Sequence, residues 1–236
     1  MSVQVLDTSV DSAKEKLLAL AYEHECARHP LFQALQHRSL QKHQVAGLLR
    51  NYDAHASVLR RLLLKAATIM PESAVGYVLE NVRNEYGNGD YAGNHQAQLQ
   101  DVAWQSGVTK AGYKAAKVQP AIKAFIKEVG HYYTGTGCQT QPGLLRAAIA
   151  AGAITATELL AVQEFRALQI AFSRFGLEHH IWFHHVTIEA DHSDESLALA
   201  LHFIEKHHAS NSVVYGMNGV LRANISLYDG LLATLA

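Results

Sequence analysis

His185, Glu189 and His192 would act as one chemical group if the segment that carries them is helical. At about 100° per residue, Glu189 falls roughly 40° from His185 on one side and His192 roughly 20° on the other. The three then share one narrow face. His184 and Asp191, in the same stretch "HHVTIEADHSDE", fall roughly 100° and 120° away and point elsewhere. Two imidazoles and a carboxylate on one face suit a divalent transition metal such as iron, manganese or zinc. A solvated face with i,i+4 pairs has the same spacing. Against that, the apolar "IWF" just upstream must be buried.

The pattern His-x3-Glu-x2-His ends in Glu-x-x-His. Four-helix di-iron proteins use that unit to present a carboxylate and an imidazole from adjacent turns. One helix supplies only half of such a site, and two neighbouring cations need a carboxylate between them. Two segments offer the remainder. "NVRNEYGNGDYAGNHQAQL" places Glu85 before a Gly-x-Gly break and His95 on the next helix, so both could face one point. "AITATELLAVQEF" places Glu158 among small and apolar residues, where a carboxylate is costly unless paired or metal-bound. Taken singly, Glu85 also reads as a surface acid and Glu158 as an exposed helix position. Glu205 and His208 repeat Glu-x-x-His, but in a polar turn that reads as a helix end.

The elements that must position these groups are helical. The chain has 236 residues, four prolines and an apolar fraction of 49%, which favours helix and one all-α domain spanning 1–236. Pro71 and Pro120 mark helix starts, and Gly87, Gly89 and Gly176 mark stops. A long helical stretch from residue 144 to 175 is expected to bend near Gly152. Ser193 reads as the N-cap of a new helix. The net charge is −1, without the basic excess of a nucleic-acid binder. Cys26 and Cys138 form no metal or disulfide pattern. No apolar run reaches the length of a membrane span, and no signal peptide is evident, so a cytoplasmic location is expected. Histidines number 15, unusual enough to direct attention to metals.

"NVRNEYGNGDYAGNH", then Glu158, then "HHVTIEADH" resembles the haem-oxygenase-like di-iron oxidases and oxygenases, as does the earlier "HPLFQALQHRSLQKHQVAGLLRNY". The likeness runs from about residue 25 to 210. It implies a seven-helix bundle with six ligands to two irons: Glu85, His95, Glu158, His185, Glu189 and His192. Glu189 stands where the family usually has Asp, so the second iron would be held differently. Glu164 is a rival to Glu158. The resemblance further implies O2 as co-substrate, reduced to an iron-bound peroxo species, an external electron donor and a homodimer. The implied substrate is a small amino acid, with Arg83, Tyr86 and Val186 as pocket neighbours. Its most specific form is conversion of a (bromo)tryptophan to an indole-3-carbonitrile, because the overall run of the chain is similar to the nitrile-forming branch. N-oxygenation and fatty-acid decarboxylation are alternatives within the family. A metal-free thiaminase-like or cofactor-oxidase activity on the same fold, needing a nucleophile such as Cys26 or Cys138, is another. A haem protein using His24 or His29 is a further one.

Overall fold

The computed structural model describes residues 10–136 and 145–236, and their side chains except those of Val10, Asp11, Ala92 and residues 185–192. Ten α-helices form among these residues: α1 Val10–Tyr22, α2 Pro30–His37, α3 Lys42–Ala67, α4 Val75–Glu85, α5 His95–Gln105, α6 Lys110–Ala115, α7 Pro120–Tyr133, α8 Arg146–Ser173, α9 His185–His207 and α10 Ser210–Leu232. The all-α expectation holds. The count exceeds seven because short pieces such as α2 and α6 stand as separate helices. No strand forms among the described residues.

The bundle is organised around α8. Every residue from Ala148 to Ala156 is buried, so all faces of this segment are covered by neighbours, the mark of a core helix. Helices α2, α7, α9 and α10 pack around it. α8 is long and apolar enough to cross a membrane by composition, yet 72% of its most apolar window is buried in the fold.

Gly152 does not interrupt α8, which is helical from Arg146 to Ser173. Gly152 instead permits a close helix crossing. A Cβ there would lie 2.0 Å from the Val213 carbonyl oxygen on α10, and a Cβ at Gly216 would lie 2.0 Å from the Ile149 carbonyl oxygen on α8. The two backbones touch reciprocally where neither carries a side chain. Six residues beyond Gly152, roughly 9 Å along the axis, α8 presents Glu158.

On the other side of the core, α3 packs against α4, α5 and α7. Gln41 and Gln44 form a reciprocal capping box at its start, which satisfies end N–H groups that would otherwise lack partners. Its inward stripe delivers Tyr52, His55, Leu59, Arg60 and Leu63 to one cavity wall, as the 3.6-residue period requires.

Candidate metal centre and substrate cavity

Glu85 ends α4 and His95 begins α5. The nine residues between them fold back, pairing Tyr86 with Asn94 in a single antiparallel bridge. Gly87 makes this possible. Its φ is +75°, and a Cβ there would lie 2.5 Å from the Gly93 carbonyl carbon, so a side chain is excluded by both conformation and space. Asn94 then caps α5, its Oδ1 accepting from the Gln96 N–H at 2.9 Å. The result is a direct contact of 3.0 Å between His95 Nδ1 and Glu85 Oε1. The glycine break thus brings together two of the expected ligands.

Glu158 joins them on the same cavity, whose volume is about 90 Å³. It is only 7% exposed. Asn81, one turn before Glu85 on α4, donates from Nδ2 to Glu158 Oε1 at 2.8 Å. Sequence reasoning gave Asn81 no such role, although it opens the motif that contains Glu85. Ser193 donates from Oγ to the Glu158 backbone carbonyl at 3.2 Å and ties α9 to α8. It is therefore not an N-cap: α9 runs unbroken from His185 to His207, and the buried hydroxyl finds its acceptor across the helix interface.

The side chains of His185, Glu189 and His192 lie outside the described residues; their backbone forms the first turns of α9. Among the described residues, no three His, Cys, Asp or Glu side chains are close enough to hold a metal. Glu85 and His95 meet, and Glu158 lines the same cavity; an imidazole and two carboxylates are a donor set whose chemistry fits iron. The hydrogen bond from Asn81 orients one carboxylate oxygen, as outer-shell partners of metal ligands do. Replacing Asn81 with Leu is expected to weaken iron binding by roughly 10- to 100-fold, measured by competition with a chelator of known affinity.

Two further titratable groups shape the cavity, His55 and Glu164. His55 is 3% exposed, and both ring nitrogens lack a hydrogen-bond partner among the described residues. Tyr52 and Phe125 pack edge-on against it. Burial pushes its pKa down to about 3, so it presents a neutral imidazole with one donor and one acceptor. Glu164, the rival mid-chain acid, is engaged otherwise: Tyr228 donates to one oxygen at 2.6 Å and Tyr52 to the other at 3.3 Å.

Burial raises the Glu164 pKa to about 7, only partly offset by the two tyrosine hydroxyls. Between the unfolded value near 4.5 and about 7, the unfolded chain releases a proton that the folded chain keeps. The stability it contributes is full below the unfolded value and is lost as pH rises through the folded one. Glu164→Gln is therefore expected to raise Tm relative to wild type at pH 8 and to leave it nearly unchanged at pH 4.5, read from parallel thermal melts.

Arg83, expected beside the substrate, is turned away. Its side chain is 65% exposed, with Nη1 3.9 Å from Glu80 Oε2 on the surface. Two residues from both Asn81 and Glu85, it falls roughly 160–200° around α4 from them, on the opposite face. The cation on the cavity wall is Arg60 instead, lying over the Tyr86 ring at 5.8 Å from its centroid. The side chain of Val186 lies outside the described residues. Cys26 is fully buried, and burial together with the charges of Glu164 and Glu25 pushes its thiol up to about 12, the opposite of an activated nucleophile. Cys138 lies outside the described residues. His29 uses both ring nitrogens, one accepting from Leu31 N–H and one against Asp229. His24 caps the following turn through Cys26 N–H. His208 closes α9 in the left-handed conformation, as the polar turn around Glu205 suggested.

A family model described as iron-containing redox enzyme matches residues 46–224. That range exceeds half of the chain and contains Glu85, His95, Glu158, His185, Glu189 and His192, and the chain belongs to this family. No curated protein matches the chain. Among solved structures it is similar to a CADD-like protein of unknown function from Nostoc punctiforme, with a TM-score of 0.74, 14% identity and coverage of 96% of this chain and 99% of that one. A domain with a haem-oxygenase-like fold from Shewanella denitrificans gives 0.67 and 13%, covering 99% and 93%. A TenA family transcription regulator from a Silicibacter species gives 0.67 and 9%, covering 97% of each chain. At these identities the likeness establishes the haem-oxygenase-like fold.

Proposed function

We propose that this chain is an O2-dependent non-haem di-iron oxidase or oxygenase acting on a small amino acid within the cavity. The observation that carries the reading is the 3.0 Å contact of Glu85 with His95 on a cavity shared with Glu158, in a member of a family of iron-containing redox enzymes. His185, Glu189 and His192, at the start of α9, complete the ligand set.

When bound, the irons supply the electrons and Lewis acidity that O2 reduction needs. The chain supplies the rest. Glu85, Glu158 and His95 hold the metal, and Asn81 fixes the orientation of the Glu158 carboxylate. Leu59, Phe125, Phe165 and Trp182 form apolar walls that exclude water and bind the apolar part of a substrate. His55 stays neutral and offers the only imidazole on that wall, among the described residues, with both nitrogens unpartnered. The buried, high-pKa Cys26 argues against a thiol-dependent hydrolase.

The test is to load the protein with Fe(II) under nitrogen, admit O2, and follow O2 consumption with a panel of amino acids that includes halogenated tryptophans. Products are identified by mass. Substrate-stimulated O2 uptake with an oxidised product is expected, and a brominated indole-3-carbonitrile would be its most specific form. Absence of O2 uptake with every amino acid, or activity unchanged by Glu85→Ala, overturns the reading.

A further inference from the structure

Among the described residues, Arg60 is a buried charge without an ion-pair partner. It is 5% exposed, and a guanidinium does not deprotonate in a protein. Its two hydrogen bonds go to neutral amides: Nη1 donates to Asn94 Oδ1 at 3.0 Å and Nη2 to Gln96 Oε1 at 2.9 Å. No carboxylate forms an ion pair with it among the described residues. Asp53, the acid closest to it in this network, is held one amide away. Gln96 donates from Nε2 to Asp53 Oδ1 at 2.7 Å, which leaves its carbonyl for Arg60. Asp53 is also held by Tyr113 at 3.0 Å and faces Arg50 at 3.9 Å. An arginine buried in this way needs an anion, and this one lines the cavity.

We infer that Arg60 anchors the carboxylate of the substrate. The two amides that grip it flank His95 in sequence, so the turn that positions a metal ligand also positions the anchor. Leu59 and Leu63, its neighbours on α3, line the cavity together with Phe125, Phe165 and Trp182 and give it an apolar portion. The site therefore fits a molecule with a carboxylate at one end and an aromatic or aliphatic body at the other. This deepens the reading above and depends on it for taking the cavity as the substrate site. It does not depend on iron chemistry. The sequence around Glu85 points to Arg83 as this cation; the fold supplies Arg60 from α3 instead.

The experiment is isothermal titration calorimetry under nitrogen, on protein as isolated and after Fe(II) loading. L-tryptophan is compared with L-tryptophanamide, and 3-phenylpropanoate with 3-phenylpropanamide. Loss of a charge-assisted hydrogen bond corresponds to roughly 10- to 100-fold in affinity. In the wild type the acids are expected to bind tighter than the amides by that factor. In Arg60→Gln the acid-to-amide ratio falls to near one, while Arg60→Lys keeps part of it. Circular dichroism melts verify folding; if Arg60→Gln does not fold, the wild-type ratio and Arg60→Lys decide. Equal binding of acid and amide in the wild type, no acid binding at all, or a ratio unchanged in a folded Arg60 variant each overturns the inference. The last result would mean that the charge is matched within the protein. Carboxylate binding that persists in a protein unable to take up iron would leave the anchor standing while the proposed function falls.

Discussion

Glu85→Ala is expected to abolish substrate-stimulated O2 consumption, with a loss on the order of 100-fold or more, beyond what removing an outer-shell partner of a metal ligand costs. Glu85 closes α4 at the turn that delivers it to His95, and the two side chains meet at 3.0 Å. Removing the carboxylate removes its contact with the imidazole and takes one negative charge from the centre. If two cations are held close together, that charge is what offsets their repulsion. The fold should survive, because Glu85 is partly exposed, with a side-chain exposure of 22%, and packs no core. The informative comparison is Glu85→Ala against Arg83→Ala. Arg83 lies two residues earlier in the same motif but faces solvent, so its removal should leave kcat/KM within about two-fold, in line with surface substitutions. Steady-state O2-electrode kinetics on both variants, each loaded with Fe(II), checks this. Equal loss in the two would mean that the α4 turn matters only structurally.

Gly152→Ala is expected to be strongly destabilising. The added methyl would sit 2.0 Å from the Val213 carbonyl oxygen, a backbone atom that moves only if α10 moves. Gly216 faces the same constraint from the opposite helix. Relief requires the two most central helices to separate, at about 3 kcal/mol, the upper end of the usual overpacking range. For a chain of this size that lowers Tm by roughly 6 to 12 °C. Gly76→Ala is the control. Nothing lies within 4 Å of the Cβ it would add on α4, and replacing a helical glycine by alanine ordinarily stabilises by about 0.5–1 kcal/mol. Differential scanning calorimetry of the two variants should therefore give shifts of opposite sign. Because α8 also carries Glu158, Gly152→Ala should lose iron as well as stability.

Helix content and several helix ends were legible in the sequence because they depend on local chemistry. Pro120 opens α7, and Gly176, at φ +72°, follows the end of α8. The pairing of Glu85 with His95 was legible because a Gly-x-Gly break between two helical runs has few ways to close. What escaped depends on which helix lies opposite. Gly152 reads as a bend until α10 is seen against it. Ser193 reads as a cap until Glu158 supplies an acceptor on the neighbouring helix. His55 and Arg60 carry no local signature, and Asn81 is marked only as the first residue of the motif that contains Glu85. Each is a polar residue on an otherwise ordinary amphipathic helix, and its role follows only from the cavity it faces. Arg83 erred in the other direction, since proximity to Glu85 in sequence is not proximity on a helix face.

If the chain acts as the proposed di-iron enzyme, its cavity holds iron through Glu85, His95 and Glu158 together with residues from the first turns of α9. The most direct test is an anaerobic titration of metal-free protein with Fe(II), with bound iron counted per chain in the wild type, Glu85→Ala, Glu158→Ala and Arg83→Ala. Saturable binding of two irons is expected in the wild type and in Arg83→Ala, falling to one or none in both glutamate variants. A wild-type chain that takes up no iron, or glutamate variants that bind as much as the wild type, would contradict the account.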